Sequence, residues 1–233
     1  MLEATELSRK LDDSVKKSVV FLSFPGHGEE TPGKRSPVWP DGSQLFEWEF
    51  NRRMDGLIRM LCDAVGIEYV QLVTEDEDIP IPLRGSTTAG DGTRIGRLKQ
   101  WMKDNPGKDC VLLDLHANAA DSAQAHGFEL FTTRGQNNSD TVAEFIFQEF
   151  KYWAENGSRI ENMKLRPDNS DGDGDKEVDF ASIRKAPCKA VLIEFGFMTN
   201  EEECKLLMDE KYTFEMAAVV TLALLKYVAS LAE

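Results

Sequence analysis

The strongest hydrophobic pattern in the chain is the stretch 110–119, an apolar run broken only by Asp114 that ends with His116 and Asn118. Such a run is typical of a strand that is buried on both faces of a sheet. Polar chemistry therefore lies where a central strand ends. In open parallel α/β sheets the carboxyl edge is where sites are built, so His116 is a better functional candidate than a histidine on a helix face.

Two other apolar runs have the same design. Residues 19–22 lead to His27 in a glycine-containing turn, and residues 190–193 lead to Glu194 in a second such turn. Each run is a predicted strand that delivers one metal-binding or proton-transferring side chain to a turn. We therefore expect these side chains to face the same edge of the sheet as the end of the central strand.

Helical spacing fills the intervals between the predicted strands. Apolar residues recur at three and four positions after Gln44 and stop at Gly66, which predicts a helix. Glu47 and Glu49 both fit compensation of the helix dipole, but Glu47 shares its face with Phe50 and is therefore predicted to point inward. Further strands are predicted at 68–73 and 128–133, and further helices at 91–104, 139–153, 176–183, 200–208 and 212–231.

The alternation of strands and helices predicts one α/β domain with a twisted, mostly parallel sheet and helices on both faces. Residues 1–17 are predicted to form an N-terminal arm with a short amphipathic helix, and residues 18–233 form the domain itself. The segment 28–43 contains three prolines and three glycines, which predicts a long exposed loop. Loops of that length inside a compact domain are usually functional.

The net charge of the chain limits the classes of binding partner that we expect. A net charge of −14 argues against a protein that binds nucleic acid or an anionic membrane, because bulk attraction is missing. The N-terminal segment is charged throughout and lacks the apolar core of a signal peptide, and no later run approaches the length of a membrane span. We therefore expect synthesis in the cytoplasm without a signal peptide. We also expect the protein to be a monomer.

Two patterns that resemble metal sites fail on spacing. The acidic stretch 169–175 resembles a calcium loop, but the required glycine falls on Lys176 and the required glutamate on Ser182, so we expect a solvated loop. The cysteines are far apart and form no Cys-x-x-Cys pair, which predicts reduced thiols rather than a zinc site or disulfides. They are Cys62, Cys110, Cys188 and Cys204.

A different set of residues suits zinc chemistry. A catalytic zinc ion takes three protein ligands from His, Asp or Glu and leaves a fourth position open. His27, Glu47 and His116 meet that need, each from a different predicted element; a rival set replaces Glu47 with His126, and spacing alone leaves both sets open. Glu194, at the end of an apolar strand, is the kind of group that accepts a proton from the attacking water.

Five motifs, in this order, resemble the zinc-dependent N-acetylmuramoyl-L-alanine amidases of bacterial autolysins and phage endolysins. The resemblance covers nearly the whole chain from about residue 18, and five motifs at plausible separations make it strong. The motifs are PGHG (25–28), EWEFNR (47–52), LHANA (115–119), AHGFELF (125–131) and LIEFGFMTN (192–200).

The resemblance implies a role for each site residue and makes residues 18–233 a zinc amidase catalytic domain. The metal ligands fall on His27, Glu47 and His116, the catalytic glutamate falls on Glu194, and His126 becomes a loop residue near the cleft. The chain departs from the family pattern around the first motif, at positions 24 and 29, where it has phenylalanine and glutamate; neither position is a ligand.

The implied substrate is peptidoglycan of the bacterial cell wall. The implied reaction is hydrolysis of the amide between the lactyl group of N-acetylmuramic acid and L-alanine of the stem peptide. Asn118 and Arg84 are candidate substrate contacts, and the loop 28–43 is expected to shape one wall of the groove. With no evident signal peptide or wall-binding repeats, the chain resembles a phage or prophage lytic enzyme more than a secreted autolysin.

Two other classes of function remain open at the level of sequence. A zinc metallopeptidase or peptide amidase would act on free peptides, but an exopeptidase generally needs a basic residue to fix the terminal carboxylate, and the core motifs contain no arginine that clearly does so. A non-catalytic wall-binding module would keep the fold. Binding alone would not require Glu194 beside a full set of ligands.

Overall fold

A six-stranded sheet forms the centre of the computed structural model, which describes residues 2–81, 92–168 and 172–232. In spatial order the strands are β2, β1, β3, β6, β4 and β5. All neighbouring pairs are parallel except β4 and β6, which are antiparallel, so the predicted mostly parallel α/β sheet is confirmed. The strands are β1 (Val19–Pro25), β2 (Glu68–Gln71), β3 (Asp109–Asn118), β4 (Glu129–Thr132), β5 (Lys176–Glu177) and β6 (Lys189–Phe197).

The helices fall close to where hydrophobic spacing predicts them, with one exception. Residues 176–183 are predicted as a helix, and this is wrong. The first two residues pair with β4 as the edge strand β5, and a helix begins only at Ala181, because pairing with an open strand edge outweighs a weak local helical preference. The helices are α1 (Leu2–Lys10), α2 (Asp13–Ser18), α3 (Glu47–Val65), α4 (Arg94–Asp104), α5 (Asn138–Glu155), α6 (Ala181–Lys185), α7 (Glu201–Met208) and α8 (Glu210–Ser230).

Side chains alternate between the two faces of the central strand, and each face has its own core. On β3, Leu113 and Leu115 point into the larger core, which α3, α5 and α8 cover. Leu112 points into the smaller core on the opposite face, where α4 and α6 lie. Burial on both faces explains why β3 is an almost continuous apolar run in the sequence.

The apolar helix α8 is part of the larger core. The sequence pattern predicts no run of membrane-spanning length, and this is wrong by length and composition, because among the described helices α8 is long and apolar enough to cross a membrane. However, 67% of that stretch is buried inside the fold. It packs on α3 and α5, and the ring of Tyr227 meets Phe21 of β1 edge to face with centroids 6.4 Å apart. Its hydrophobicity is therefore that of a core helix lying over a sheet.

Three other predictions can be compared with the structure. The arm forms two helices, of which α1 packs on α8 and α3. The loop 28–43 is mostly exposed, as predicted. All four cysteines are free thiols in the structure; Cys188 is half-buried and the others are buried.

The central strand gives a direct test of this architecture. Leu113 is fully buried in the larger core, so Leu113→Ala should lower the free energy of unfolding by about 2–5 kcal/mol through lost contacts and a cavity. Leu206→Ala, on an exposed side chain of α7, should stay within about 0.5 kcal/mol of the parent. Urea denaturation monitored by circular dichroism measures both. Equal destabilisation of the two variants would contradict the assigned core.

Candidate active site

One row of residues across the sheet carries the chemical groups. His116 of β3 pairs in register with Glu194 of β6, which pairs in turn with Glu129 of β4. On the other side, the N–H of Gly26, just after β1, donates to the Leu115 carbonyl at 2.8 Å. Adjacent strands lie about 4.8 Å apart, so these groups form a continuous line. The antiparallel β4 contributes its first residue to the edge where the parallel strands end.

His27 follows β1 in an unusual backbone conformation. Its φ of 59° lies in the left-handed region, which is costly for a residue other than glycine. Two guanidinium groups hold this turn, because Arg52 Nη1 and Arg94 Nη2 donate to the His27 carbonyl at 3.0 and 3.2 Å. Asn51 Nδ2 donates to the preceding carbonyl, that of Gly26, at 3.1 Å. The backbone of this turn is thus fixed by side chains from α3 and α4.

Glu47 is the first residue of α3 and is 1% exposed, which confirms that it points inward, whereas Glu49 is exposed. Its N–H donates to the Lys34 carbonyl at 3.0 Å, so the long loop caps this helix, whose N-cap residue makes no side-chain hydrogen bond. Burial favours a neutral carboxyl, but hydrogen bonds from His116 and His27 outweigh it and lower the pKa of Glu47.

Three donor atoms converge at this point. Glu47 Oε1 lies 3.0 Å from His116 Nδ1 and 3.3 Å from His27 Nε2, and the donor atoms of all three residues lie within 4.8 Å of one another. His126 is exposed, and its Nδ1 lies 2.8 Å from the Gln124 carbonyl oxygen. Within the described residues, the structure therefore brings together the first predicted set and not the rival set.

Glu194 lies beside this group and is half-buried. Burial raises its pKa to about 8, with the nearby Glu47 charge acting in the same direction and His116 opposing it. Its Oε2 is buried and has no hydrogen-bond partner in the part of the chain that the structure describes. A carboxyl whose pKa lies near neutral pH can both accept and donate a proton under ordinary conditions.

The two predicted substrate contacts differ in outcome. Asn118 lies at the edge, but its Nδ2 donates to Glu129 Oε2 at 2.6 Å and its Oδ1 accepts from the Ala119 N–H at 2.8 Å. Its amide thus supports a neighbouring carboxylate, and contact with substrate stays a prediction. Arg84 lies outside the described residues.

The sequence pattern did not indicate the charged residues that surround His116, Glu194 and Glu129. Glu129 accepts hydrogen bonds from Arg166 Nε at 2.5 Å and Lys176 Nζ at 2.6 Å. A glutamate inside an apolar motif could have indicated that it has such charged partners. Lys34, on the long loop, places Nζ 3.9 Å from Glu47 Oε2. Its charge partly opposes the rise in the pKa of Glu194, so the loop contributes a cation to a site rich in carboxylates.

Comparison with known proteins gives both a family and a fold. A family profile described as N-acetylmuramoyl-L-alanine amidase matches residues 23–226. A comparison with curated proteins gave no significant match.

Several solved structures share the fold at low sequence identity. The catalytic domain of CwlV, an N-acetylmuramoyl-L-alanine amidase from Bacillus (Paenibacillus) polymyxa var. colistinus, is 20% identical with a TM-score of 0.66, and the match covers 91% of this chain and 98% of that chain. The CwlD amidase of Clostridioides difficile, solved with the GerS lipoprotein, is 21% identical with a TM-score of 0.65 and coverages of 91% and 99%. AmiC2 of Nostoc punctiforme is 21% identical with a TM-score of 0.66 and coverages of 91% and 98%.

Gly26 allows the close approach of His116, and this can be tested. A Cβ at position 26 would lie 2.2 Å from His116 Cε1 and 2.5 Å from Nδ1, so Gly26→Ala should displace the imidazole. For a metal ion held by His116, we expect the affinity to fall by about 10- to 100-fold, the range seen when the support of a ligand is lost.

The matched control is Gly56→Ala in α3, where an added Cβ meets nothing within 4 Å. It should keep metal affinity and gain up to about 1 kcal/mol of stability from the helical alanine. Metal affinity is measured by competition with a chromogenic chelator, and folding by thermal melting. Unchanged affinity in Gly26→Ala would contradict the assigned packing.

Proposed function

This chain belongs to the N-acetylmuramoyl-L-alanine amidase family, and we propose that its peptidoglycan amidase activity depends on a zinc ion held by His27, Glu47 and His116. The observation that carries the proposal is the convergence of these three side chains, from three separate elements, beside the half-buried Glu194. Imidazole nitrogens and a carboxylate oxygen are the donors that a catalytic zinc ion takes.

The distances from Glu47 to the two histidines fit that ion. Ligand atoms around a tetrahedral zinc ion at its usual bond lengths lie about 3.3 Å apart. Glu47 Oε1 lies 3.0 and 3.3 Å from the two imidazole nitrogens, close to this separation. Glu47 Oε2 is buried and has no hydrogen-bond partner within residues 2–81, 92–168 and 172–232, an arrangement that a bound cation would relieve. Zinc, when bound, supplies Lewis acidity that polarises a carbonyl and lowers the pKa of water.

Glu194 is the proposed proton-transfer group. The bond that breaks is the amide between the lactyl carbonyl of N-acetylmuramic acid and the nitrogen of L-alanine. As the water oxygen attacks that carbonyl carbon, Glu194 accepts the water proton. It then donates the proton to the departing nitrogen, which leaves as the free amine of L-alanine while the lactyl group becomes a carboxylic acid. A pKa near 8 suits a group that must do both.

Family membership favours this function over the alternatives raised from sequence. The family profile that matches residues 23–226 describes an amidase, and not a peptidase acting on free peptides or a wall-binding module. A binding module would in addition have no use for a half-buried carboxyl beside a group of metal-competent donors. Action as a monomer, and an endolysin-like rather than an autolysin-like origin, stay predictions.

The ligand set gives the first test. The parent should bind a single zinc ion per chain, and His116→Ala and Glu47→Ala should lose it, because removal of a ligand weakens binding far more than removal of a nearby residue. Glu49→Ala and His126→Ala should retain zinc and activity. Metal analysis after dialysis measures the zinc content. Zinc loss in His126→Ala with retention in Glu47→Ala would establish the rival ligand set.

The second test separates Glu194 from the metal. Glu194→Gln keeps the size of the side chain but cannot accept a proton, so hydrolysis should fall by about 100- to 10,000-fold with zinc content unchanged. The assay follows new L-alanine amino groups released from purified peptidoglycan. The absence of new reducing sugars shows that an amide rather than a glycosidic bond is cut.

The outcome is informative in either direction. A structural role for Glu194 would appear as a lower melting temperature with little change in rate. If Glu194→Gln binds zinc, melts normally and cleaves at close to the parent rate, Glu194 is not the general base.

A further inference from the structure

A carboxylate lies in the middle of the central strand, where the sequence pattern calls for an apolar residue. Asp114 is 1% exposed, and its partners in register are Phe24 of β1 and Leu192 of β6. Burial of a charged group among apolar neighbours is costly unless it is paired and hydrogen-bonded. An apolar side chain at position 114 would avoid this cost. A carboxylate at this position therefore indicates that it has a specific polar partner.

That partner is the imidazole two residues further along the same face of the strand. Asp114 Oδ1 lies 3.2 Å from His116 Nε2, while Nδ1 of the same ring faces Glu47 Oε1 at 3.0 Å. The two ring nitrogens therefore point at two different carboxylates. A histidine that binds a metal through one nitrogen usually donates the N–H of the other to a carboxylate or carbonyl, which fixes its tautomer and orientation.

A buried arginine completes the arrangement. Arg94 is 2% exposed, and its Nη2 lies 3.6 Å from Asp78 Oδ1. Burial lowers the pKa of Arg94, and the charges of Asp114 and Asp78 oppose that shift. The same guanidinium donates to the carbonyls of Pro25 at 2.6 Å and His27 at 3.2 Å, on either side of the glycine that contacts the His116 ring. Arg94 thus holds the backbone beside both histidines, and its charge interacts with that of Asp114.

We propose that Asp114 is a positioning residue for the amidase reaction: its Oδ1 accepts the Nε2–H of His116 and so presents Nδ1 to the metal, while Arg94 balances the buried charge. This inference rests on the proposed function, because it takes His116 as a zinc ligand. Asp114 acts through His116 and does not touch the substrate.

The test compares two buried aspartates in the full chain. Asp114→Asn keeps the shape of the side chain but removes its charge, and zinc affinity should fall by about 10- to 100-fold. The matched control is Asp55→Asn: Asp55 is also 1% exposed, but it bonds to Tyr69 and Gln71 rather than to a ligand. It should lose stability and keep zinc affinity. Chelator competition gives the affinities, and the visible spectrum of the cobalt-substituted protein reports distortion at the metal.

A measurement on the parent protein makes the test independent of how the variants fold. Long-range proton–nitrogen NMR of the zinc-loaded chain should show His116 protonated at Nε2, with Nδ1 bound to the metal. The opposite tautomer overturns the proposal, as does an Asp114→Asn variant with parental zinc affinity and cobalt spectrum. A parent that binds zinc while Asp114→Asn is unchanged refutes only the role of Asp114, whereas a parent that takes up no zinc refutes the proposed function as well.

Discussion

The parallel hydrogen-bonded register of β1, β3 and β6 is the constraint on which the site depends. Because these strands run in one direction, their last residues meet at one edge, and the register sets His116 beside Glu194. A slip of one residue in β3 would turn His116 to the opposite face of the sheet and expose the wrong side chains to both cores. The burial of Leu112 and Leu113 on opposite faces therefore fixes the site as well as the fold.

Four carboxylates at or near this edge have different surroundings. Glu47 receives hydrogen bonds from two histidines, Asp114 faces His116 and Arg94, and Glu129 accepts from an arginine and a lysine. Glu194 Oε2 has no hydrogen-bond partner among the described residues, and burial raises the pKa of Glu194 to about 8. Chemically similar groups on neighbouring strands thus acquire different protonation behaviour from their environment, as a site that moves a proton requires.

Two arginine side chains hold the backbone near the site. The left-handed turn at His27 is costly by itself, and it is held because its carbonyl accepts from Arg52 and Arg94. Each guanidinium also bonds to the segment that follows β2, Arg52 through the Glu75 carbonyl and Arg94 through that of Ile79. The turn, the neighbouring loop and two helices are therefore tied together, which limits the freedom of the proposed ligand.

The sequence by itself determined the fold class, most elements and the strand-end candidates, because hydrophobic periodicity directly reports which faces of a local segment are buried. It identified His27, His116 and Glu194 from apolar runs that end in polar turns, and Glu47 from its position on a helix face. Tertiary structure decided the rest. The grouping of Glu47 rather than His126 with the two other histidines, the approach of the Arg94 charge to Asp114 and the conversion of residues 176–177 into an edge strand all depend on contacts between segments distant in the chain. Hydrophobic periodicity cannot predict such partners, because it indicates which side chains are buried but not which residues they contact.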